Sequence, residues 1–253
     1  FTSDRDGNME LYAVDQEGRS EQNLTGTPGD ESAPLVSPDR KFVAFLSGRE
    51  DNISIEVMRV NGTERQRVTA GSGVHLSQRW SPDSKRIAYV AKTEESNLAY
   101  VAKADGSSSV LLTKIAGDEI GDWSPDGKSV VFAVHEGPGQ GIYVRNPDGV
   151  NEFRLTDTPD FSPVWSPDLK RIAFLSERDG NPEIYVMSAD GTDQRRISET
   201  ASPEYSMSWS PDGKRLLFVS EKDGNPEVYT TEIGTGQEVR LTRNSVRDDE
   251  PVW

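Results

Sequence analysis

The sequence predicts an all-β protein made of six copies of one four-stranded unit. Three observations predict it: a tripeptide that recurs at nearly constant spacing, an aromatic residue at a fixed distance behind it, and apolar runs too short for long helices. A period of this length is typical of repeat proteins whose copies each form a four-stranded blade. The Ser-Pro-Asp tripeptides follow one another in steps of 44, 43, 42 and 44 residues, starting at Ser37, Ser81, Ser124, Ser166 and Ser210.

The fifth copy shows how each element is justified. Residues 171–176 are a short apolar run with β-branched and aromatic members, which is typical of a strand covered on both faces. Asp179-Gly180-Asn181 predicts a turn, because Gly and Asn tolerate positive φ. Residues 183–187 predict the next strand, and Asp190-Gly191 predicts the tight hairpin that follows it.

Three further positions keep the six copies in register. The first is aromatic and holds Phe1, Phe45, Tyr89, Phe132, Phe174 and Phe218. The second is a tyrosine position and holds Tyr12, Val57, Tyr100, Tyr143, Tyr185 and Tyr229. The third is expected to pack between neighbouring copies and holds Val36, Trp80, Trp123, Trp165, Trp209 and Trp253.

Six such copies predict a six-bladed β-propeller with four antiparallel strands in each blade, as one domain over residues 1–253. The C-terminal strand, residues 250–253, is expected to pair beside residues 1–3 and close the ring, because closure leaves only short protected edges. The predicted blades are residues 1–25 with 248–253, 31–69, 75–113, 118–156, 160–198 and 204–242.

The composition restricts the possible partners. A net charge of −15 disfavours nucleic acid and anionic membrane surfaces, which reward Lys and Arg, and is compatible with cations and basic partners. The chain has no cysteine, so disulfides and thiolate metal sites are excluded. No apolar run is long enough for a transmembrane helix, and this chain shows no signal peptide.

The repeated residues resemble the TolB-type six-bladed propeller, a WD-like repeat family with the motif Trp-Ser-Pro-Asp-Gly-Lys. Residues 124–128 and 210–214 carry Ser-Pro-Asp-Gly-Lys in full, and the resemblance covers the whole chain. It implies a binding platform or scaffold in the periplasm or outside the cell, with a protein partner and a calcium-occupied channel. It also implies that such a propeller can be an accessory domain of a larger sensor or peptidase.

One set of residues predicts a binding site. Five residues before each Trp position stands a residue that begins the innermost strand, so a propeller would gather all six around one mouth of its channel. Carboxylates placed close together repel unless a cation relieves them, and oxygen ligands favour Ca²⁺. The candidate metal ligands are Glu31, Asp118, Asp160, Glu204 and Asp248. The candidate ligand-binding residues are His75, which interrupts the acidic series, and Arg79, Glu119, Asp122 and Asp249.

Other interpretations of these residues remain open. The acids could cap the turn that enters each strand by accepting backbone N–H bonds, or form a solvated acidic rim. Arg79 and Asp122 stand at matching positions of adjacent copies, and an ion pair between them would be structural.

No motif for catalysis is present, since the chain lacks a nucleophile elbow, a phosphate-binding loop and a histidine-rich metal motif. The sequence therefore favours a monomeric, non-catalytic module that binds a basic protein or peptide at the acidic channel mouth, with Ca²⁺ as the candidate cation. The alternatives are a carbohydrate-active enzyme, a lyase or glycosidase, that uses the same carboxylates, and an accessory propeller of a larger protein.

Overall fold

The computed structural model describes residues 1–69, 73–92, 97–112, 118–135, 137–198, 200, 202–243, 248, 251 and 253. Over these residues the regular elements are β-strands, which confirms the all-β prediction. The chain divides into two compact units, Phe1–Ala116 with Pro147–Gly149 and Gly117–Asn146 with Val150–Trp253. Within the described ranges, no helix is long and apolar enough to cross a membrane.

The first unit contains three repeats of the sequence pattern. Repeat 1 is a three-stranded sheet of β1 (Thr2–Ser3), β2 (Glu10–Val14) and β3 (Glu21–Asn23). Repeat 2 contains β4 (Asp30–Val36), β5 (Phe42–Arg49), β6 (Asn52–Arg59) and β7 (Gln66–Arg67). Repeat 3 contains β8 (Val74–Trp80), β9 (Arg86–Lys92), β10 (Asn97–Lys103) and β11 (Ser109–Leu111). One parallel pair, Ile53 with Val74, joins repeats 2 and 3 into one sheet.

The second unit contains three separate four-stranded antiparallel sheets. Repeat 4 contains β12 (Asp118–Trp123), β13 (Val130–Val134), β14 (Gly141–Arg145) and β15 (Phe153–Arg154). Repeat 5 contains β16 (Asp160–Trp165), β17 (Arg171–Ser176), β18 (Glu183–Ser188) and β19 (Arg195–Arg196). Repeat 6 contains β20 (Glu204–Trp209), β21 (Arg215–Ser220), β22 (Glu227–Glu232) and β23 (Glu238–Arg240). The strands pair in sequence order, as hairpin-connected repeats require.

The loops of each repeat lie at two opposite edges of its sheet. The edge where the first strand begins also carries the loop between the second and third strands, and we call it the acidic edge. The opposite edge carries the Ser-Pro-Asp turns, and we call it the turn edge. At each of these turns the Asp is followed two residues later by a lysine: Lys41, Lys85, Lys128, Lys170 and Lys214. In repeat 3, Asp83 accepts bonds from the Ser81 hydroxyl (2.6 Å) and the Lys85 backbone N–H (3.1 Å), so its carboxylate caps the turn.

Stacked aromatic pairs form the middle of five repeats. Their ring centroids lie 5.4 to 5.8 Å apart in the pairs Phe1–Tyr12, Tyr89–Tyr100, Phe132–Tyr143, Phe174–Tyr185 and Phe218–Tyr229. In repeat 2 the strand register places Glu56 opposite Phe45, so the assignment of Val57 to the tyrosine position is wrong. The sequence pattern favoured the apolar neighbour, whereas Arg65 bonds Glu56 at 2.5 Å and lies 5.2 Å from the Phe45 ring centroid. An ion-paired arginine thus replaces the tyrosine ring.

Tryptophans at the ends of the first strands connect consecutive repeats. Trp80 Nε1 donates to the Leu35 carbonyl (2.8 Å), and Trp209 Nε1 donates to the Val164 carbonyl (3.2 Å). Truncation of such a buried indole to alanine costs about 3–5 kcal/mol. Val36, which stands in the place of the sixth tryptophan, is 53% exposed and does not fill it.

A β-bulge interrupts the first strand of each of the last five repeats. In four of them a non-glycine residue takes a left-handed backbone, with φ between 48° and 54°: Ala33, Ser77, Ser162 and Ser206. This conformation costs an L-residue about 1–2 kcal/mol. The bulge adds extra residues to the first strand. The half that begins with the acid and the half that ends with the tryptophan therefore pair with the second strand in different registers.

The predicted closure of the ring stays a prediction. Residues 250 and 252 lie outside the described residues, and so does the pairing of the C-terminal strand with residues 1–3. The predicted blade boundaries also stay a prediction.

Candidate binding site

Glu31 lies at the beginning of β4 and is fully buried. Its Oε1 accepts hydrogen bonds from the hydroxyls of Thr27 (2.8 Å) and Ser47 (3.1 Å) and from the Arg65 guanidinium (3.1 Å). The same guanidinium also bonds Glu56, so two carboxylates share one positive charge. Glu31 is therefore held by its own repeat through an ion pair.

His75 takes the equivalent place in β8 and is also buried. Its Nδ1 lies 2.7 Å from the Ile53 carbonyl, and its ring contacts Tyr89 at a centroid distance of 5.6 Å. Burial lowers the pKa of His75, which favours the neutral imidazole with Nδ1 as the donor. This histidine contributes packing and one hydrogen bond rather than a positive charge.

Asp160 begins β16 and is fully buried. Its Oδ2 accepts from the Thr158 hydroxyl (2.7 Å) and from Arg178 Nη2 (2.9 Å). Arg178 reaches it from the loop between the second and third strands, where its guanidinium lies 4.5 Å from the Tyr185 ring centroid. The acid and the arginine thus form an ion pair at the acidic edge of repeat 5.

Glu204 begins β20 and is 1% exposed, but no arginine reaches it within the described residues. Its Oε2 accepts from the Ile184 backbone N–H (3.2 Å) and bonds the Ser198 hydroxyl, which also bonds Glu183 (3.1 Å). Burial, with a contribution from the charge of Glu183, raises the pKa of Glu204 to about 7. A hydroxyl has one proton to donate, so a proton on Glu204 completes the bridge between the two carboxyls.

Glu119 is placed differently from the other candidates. Its carboxylate bonds the Ser162 backbone N–H (3.2 Å) and hydroxyl (3.1 Å), and His135 Nε2 lies 3.2 Å away. Burial raises the pKa of Glu119, but the hydrogen bonds from His135 and Ser162 outweigh burial and lower it. Glu119 thereby links repeats 4 and 5 as an ionised acceptor at the bulge of β16.

Other predicted residues make backbone contacts in the described part of the chain. Arg79 Nη1 donates to the Gln78 carbonyl (3.0 Å), and Asp122 accepts from the Trp123 backbone N–H (2.8 Å). The Asp248 backbone N–H donates to the Pro226 carbonyl (3.0 Å). Asp249 and the side chain of Asp118 lie outside the described residues. The ion pair between Arg79 and Asp122 stays a prediction.

Sequence reasoning missed a second set of buried acids. Glu10, Glu183 and Glu227 begin β2, β18 and β22 in repeats 1, 5 and 6, and they are at most 3% exposed. In each case the asparagine of the preceding Asp-Gly-Asn turn donates to the glutamate at 3.1 Å. The sequence contains the signal, since Glu follows Asp-Gly-Asn at a fixed spacing in all three repeats. The pattern predicts a strand there, but it does not indicate that the glutamate is buried.

These second acids lie beside the predicted ones. Thr27 bonds both Glu10 (backbone N–H, 2.9 Å) and Glu31 (hydroxyl, 2.8 Å), as Ser198 bonds both Glu183 and Glu204. The structure therefore brings carboxyl groups together in pairs across neighbouring repeats. Within the described residues, no three His, Asp or Glu side chains are close enough to hold one metal ion.

One oxygen of each of three predicted acids has no hydrogen-bond donor from the described part of the protein. These buried atoms are Glu31 Oε2, Asp160 Oδ1 and Glu204 Oε1. A buried ionised oxygen is costly unless a donor or a cation reaches it. The site therefore offers oxygen ligands of the type that Ca²⁺ prefers, but as separate acids rather than as one described cluster.

The comparisons with known proteins agree with this architecture. The family model of the TolB beta propeller domain matches residues 1–160 and 158–253. A protein assigned as TolB from Agrobacterium tumefaciens is 25% identical, with a TM-score of 0.69, over 90% of this chain and 86% of that one. TolB from Acinetobacter baumannii is 20% identical, with a TM-score of 0.68, over 97% of this chain and 62% of that one. No curated protein sequence matches at a significant level.

Enzymes share the fold as well. An oligogalacturonate lyase solved with manganese has a TM-score of 0.74 at 16% identity, over 97% of this chain and 73% of that one. A puromycin-hydrolysing peptidase of Mycobacterium tuberculosis has a TM-score of 0.75 at 16% identity, over 92% of this chain and 42% of that one. At such identities the likeness concerns the fold alone. The family model covers the whole length, and the chain belongs to the TolB beta propeller domain family.

Proposed function

We propose that this chain is a non-catalytic binding module that docks a basic protein or peptide segment at its acidic edge. A divalent cation, with Ca²⁺ as the candidate, assists the binding. The proposal is supported by membership of the TolB beta propeller domain family and by the net charge of −15. The observation that carries it is the recurrence of a buried carboxylate oxygen without a protein donor at Glu31, Asp160 and Glu204.

The contacts of these acids explain why one oxygen of each could accept a bond from a bound ion or water. Arg65 and Arg178 each bond only one oxygen of the acid that they neutralise, and Glu204 has only a hydroxyl and an N–H. A cation or an ordered water next to the second oxygen would complete the hydrogen bonding without moving the sheet. Glu31, Asp118, Asp160, Glu204 and Asp248 are the proposed cation ligands, acting as two or three residues with waters.

Calorimetry with Ca²⁺ tests the cation. We expect the wild-type chain to bind Ca²⁺ and to gain thermal stability, and we expect the double variant Asp160→Asn/Asp248→Asn to bind it more weakly. Asp190→Asn is the matched control, because Asp190 caps a turn-edge hairpin through Thr192. Absence of binding heat and of a thermal shift in the wild-type chain would remove the cation from the proposal.

Exposed acids on the same edge test the partner. Glu177 and Glu221 lie in loops between second and third strands and are exposed. We expect Glu177→Lys to weaken the binding of an oligolysine peptide, and we expect added salt to weaken binding to the wild-type chain. Glu17→Lys makes the same charge change in an exposed turn-edge loop and serves as the control. Equal losses in both variants would indicate general charge attraction instead of a site.

The predicted ligand-binding residues, location and assembly belong to the same proposal. Glu119 and Asp249 would extend the acidic field towards the partner, and His75 would shape the site without adding charge. Arg79 and Asp122 stand next to the tryptophans that end β8 and β12, so they would bind a part of the partner that extends away from the acidic edge. Similarity to TolB supports a periplasmic or extracellular location, and the chain is proposed to act as a monomer. Sedimentation of the purified chain tests the assembly.

A carbohydrate-active enzyme is the second candidate, and one observation favours it. Glu204 has a pKa of about 7 beside Glu183, which Arg196 ion-pairs, and acids with separated pKa values are the usual basis of acid–base catalysis. The chain carries no nucleophile elbow, phosphate-binding loop or histidine-rich metal motif, which ranks this candidate below the binding module. Incubation with acidic and neutral oligosaccharides tests it, and release of product would reverse the ranking.

An accessory role in a larger protein is the third candidate. The matched part of the peptidase is 42% of that chain, so a propeller of this fold also occurs joined to further domains. Pull-down with the isolated chain and with any longer form of the protein would separate a self-sufficient module from an accessory one.

A further inference from the structure

A groove lies between repeats 2 and 3 at the turn edge of the first unit, opposite the acidic edge. It encloses about 460 Å³, which is within the range of small-molecule sites. Phe42 and Ala104 form its partly exposed apolar surface above the buried Val57, and Lys85, Arg86 and Lys103 stand at its rim. It therefore combines an apolar floor with cationic groups, and it is built from residues that the acidic edge does not use.

The equivalent groove between repeats 5 and 6 is occupied by arginine side chains. Arg171 lies over the Trp209 ring with its guanidinium 5.9 Å from the centroid, and Arg195 donates to the Ile233 carbonyl (2.9 Å). The strand registers place Phe42 and Gln66 of repeat 2 at these two positions. Gln66 keeps the corresponding bond, to the Ala104 carbonyl (3.0 Å), with a shorter side chain.

Phe42 is the exception in this part of the repeat. The corresponding residues of the next four repeats are Arg86, Ser129, Arg171 and Arg215. The ring is only partly buried and packs against the core residues of repeats 2 and 3. The Arg59 guanidinium lies 5.6 Å from the centroid of this ring, and the part of the ring that stays exposed adds apolar surface at a position that otherwise takes Arg or Ser.

The charge of the groove contrasts with that of the chain. Three cations, Lys85, Arg86 and Lys103, and two anions, Asp83 and Asp105, line it, which gives one net positive charge on a chain of −15. The two carboxylates are engaged in their own turns. Asp83 accepts from Ser81 and the Lys85 N–H, and Asp105 accepts from the Ser107 N–H (2.9 Å). The side chains of Lys85 and Lys103 are exposed at the rim of the groove.

We propose that this groove binds a small organic carboxylate that carries an aromatic group. The aromatic group packs on Phe42 and Ala104, where it leaves water, and the carboxylate contacts Lys85 and Lys103 at the rim. Apolar burial supplies most of the affinity, and the charged contact selects the anion over its neutral analogue. The groove between repeats 5 and 6 lacks this site, because Arg171 and Arg195 occupy it.

Titration calorimetry with 4-phenylbutyrate and with the neutral 4-phenylbutanol tests the proposal. We expect the acid to bind the wild-type chain and the alcohol to bind roughly tenfold more weakly. Phe42→Arg introduces the residue type of repeats 5 and 6, so it preserves the fold while filling the groove, and it should weaken binding by roughly tenfold or more. Lys85→Glu should remove the preference for the acid.

Lys170→Glu is the matched control, because Lys170 occupies the same turn position as Lys85 but in repeat 5. It should leave the affinity for 4-phenylbutyrate unchanged, and near-ultraviolet circular dichroism should show each variant folded. No binding to the wild-type chain, equal affinities for acid and alcohol, or full binding by Phe42→Arg would each overturn the proposal. Glu177→Lys should not affect this site, which separates it from the acidic edge.

Discussion

Repeats 5 and 6 place an acid at the same position and neutralise it in different ways. Asp160 and Glu204 each begin a first strand, and each is at most 1% exposed. The residue eighteen positions later decides the outcome: Arg178 reaches Asp160 at 2.9 Å, whereas Lys222 in repeat 6 ion-pairs with Glu238. The Lys222 ammonium also lies 4.0 Å from the Tyr229 ring centroid.

The difference shows that the repeat fixes where an acid lies but not its protonation. Arginine presents several donors in a planar fork and can bond a carboxylate while it stacks on Tyr185. A lysine ammonium is a single charged point, and here it is used elsewhere. Burial and the charge of Glu183 therefore raise the pKa of Glu204 to about 7, and the more distant charge of Lys222 offsets only part of that rise. Two neighbouring repeats therefore hold one acid that is ion-paired with an arginine and one acid whose pKa lies near neutrality.

The largest effect is expected from removal of the arginine. Arg178→Ala leaves the buried Asp160 carboxylate without its ion pair, and such a loss costs about 3–5 kcal/mol of unfolding free energy. Urea unfolding at pH 7 measures it, and Arg178→Lys should lose less because the charge remains. A loss below about 1 kcal/mol would mean that the pair contributes no more than an exposed one.

The second prediction concerns pH and Glu204. Its folded pKa, about 7, lies above its usual value of 4.5, so the folded state binds this proton more tightly than the unfolded chain. The stability from this proton is full below about pH 4.5 and is lost as the pH rises to 7. Glu204→Gln should match the wild type at pH 4 and exceed it by about 3 kcal/mol at pH 8. A constant difference between the two pH values would contradict the assignment.

Conversion of repeat 6 towards repeat 5 should give a smaller change. Lys222→Arg offers Glu204 a longer, forked donor, as Arg178 offers Asp160, and should stabilise the chain by about 1 kcal/mol at pH 8. At pH 4, where Glu204 is protonated, the gain should vanish. Thermal unfolding at the two pH values checks this. An equal gain at both would indicate packing rather than neutralisation of the acid.

The smallest effect is expected at the bulges of the same two strands. Ser206→Gly relieves a left-handed residue and should stabilise by about 0.5 kcal/mol after the entropy cost of glycine. Ser162→Gly relieves the same strain but loses the hydroxyl bond to Glu119 (3.1 Å), so it should be neutral or destabilising. Chemical unfolding of both variants in one buffer distinguishes them. Equal effects would show that the Glu119 contact is unimportant.

The fold was predictable because its signals are local and repeated. The spacing of the Ser-Pro-Asp turns and the aromatic positions gave the strands and their order, and Phe174 opposite Tyr185 illustrates the predicted register. The register failed only in repeat 2, where the tyrosine is absent and Glu56 takes its place. The pattern favours an apolar residue at this position, whereas Arg65, which directly precedes β7, ion-pairs with Glu56 and makes a charged residue acceptable there.

The candidate site was only half predictable. The positions of Glu31, Asp160 and Glu204 at strand beginnings followed from counting, but their burial and their donors did not. Those donors, Arg65, Arg178 and Ser198, come from loops and fourth strands and differ from repeat to repeat. A sequence motif cannot specify which of several nearby cations turns inward, because that depends on competing partners such as Glu238 for Lys222.

Neighbouring repeats are joined by main-chain groups, and this has a consequence for how such chains change. The N–H of Glu31 donates to the Met9 carbonyl (2.8 Å), and the N–H of Glu204 donates to the Pro182 carbonyl (3.1 Å). Because the junction uses the backbone, the side chain at that place is free to become a histidine, as in repeat 3, without loosening the assembly. Duplicated repeats can therefore change their side-chain chemistry while the backbone hydrogen bonds between them stay the same.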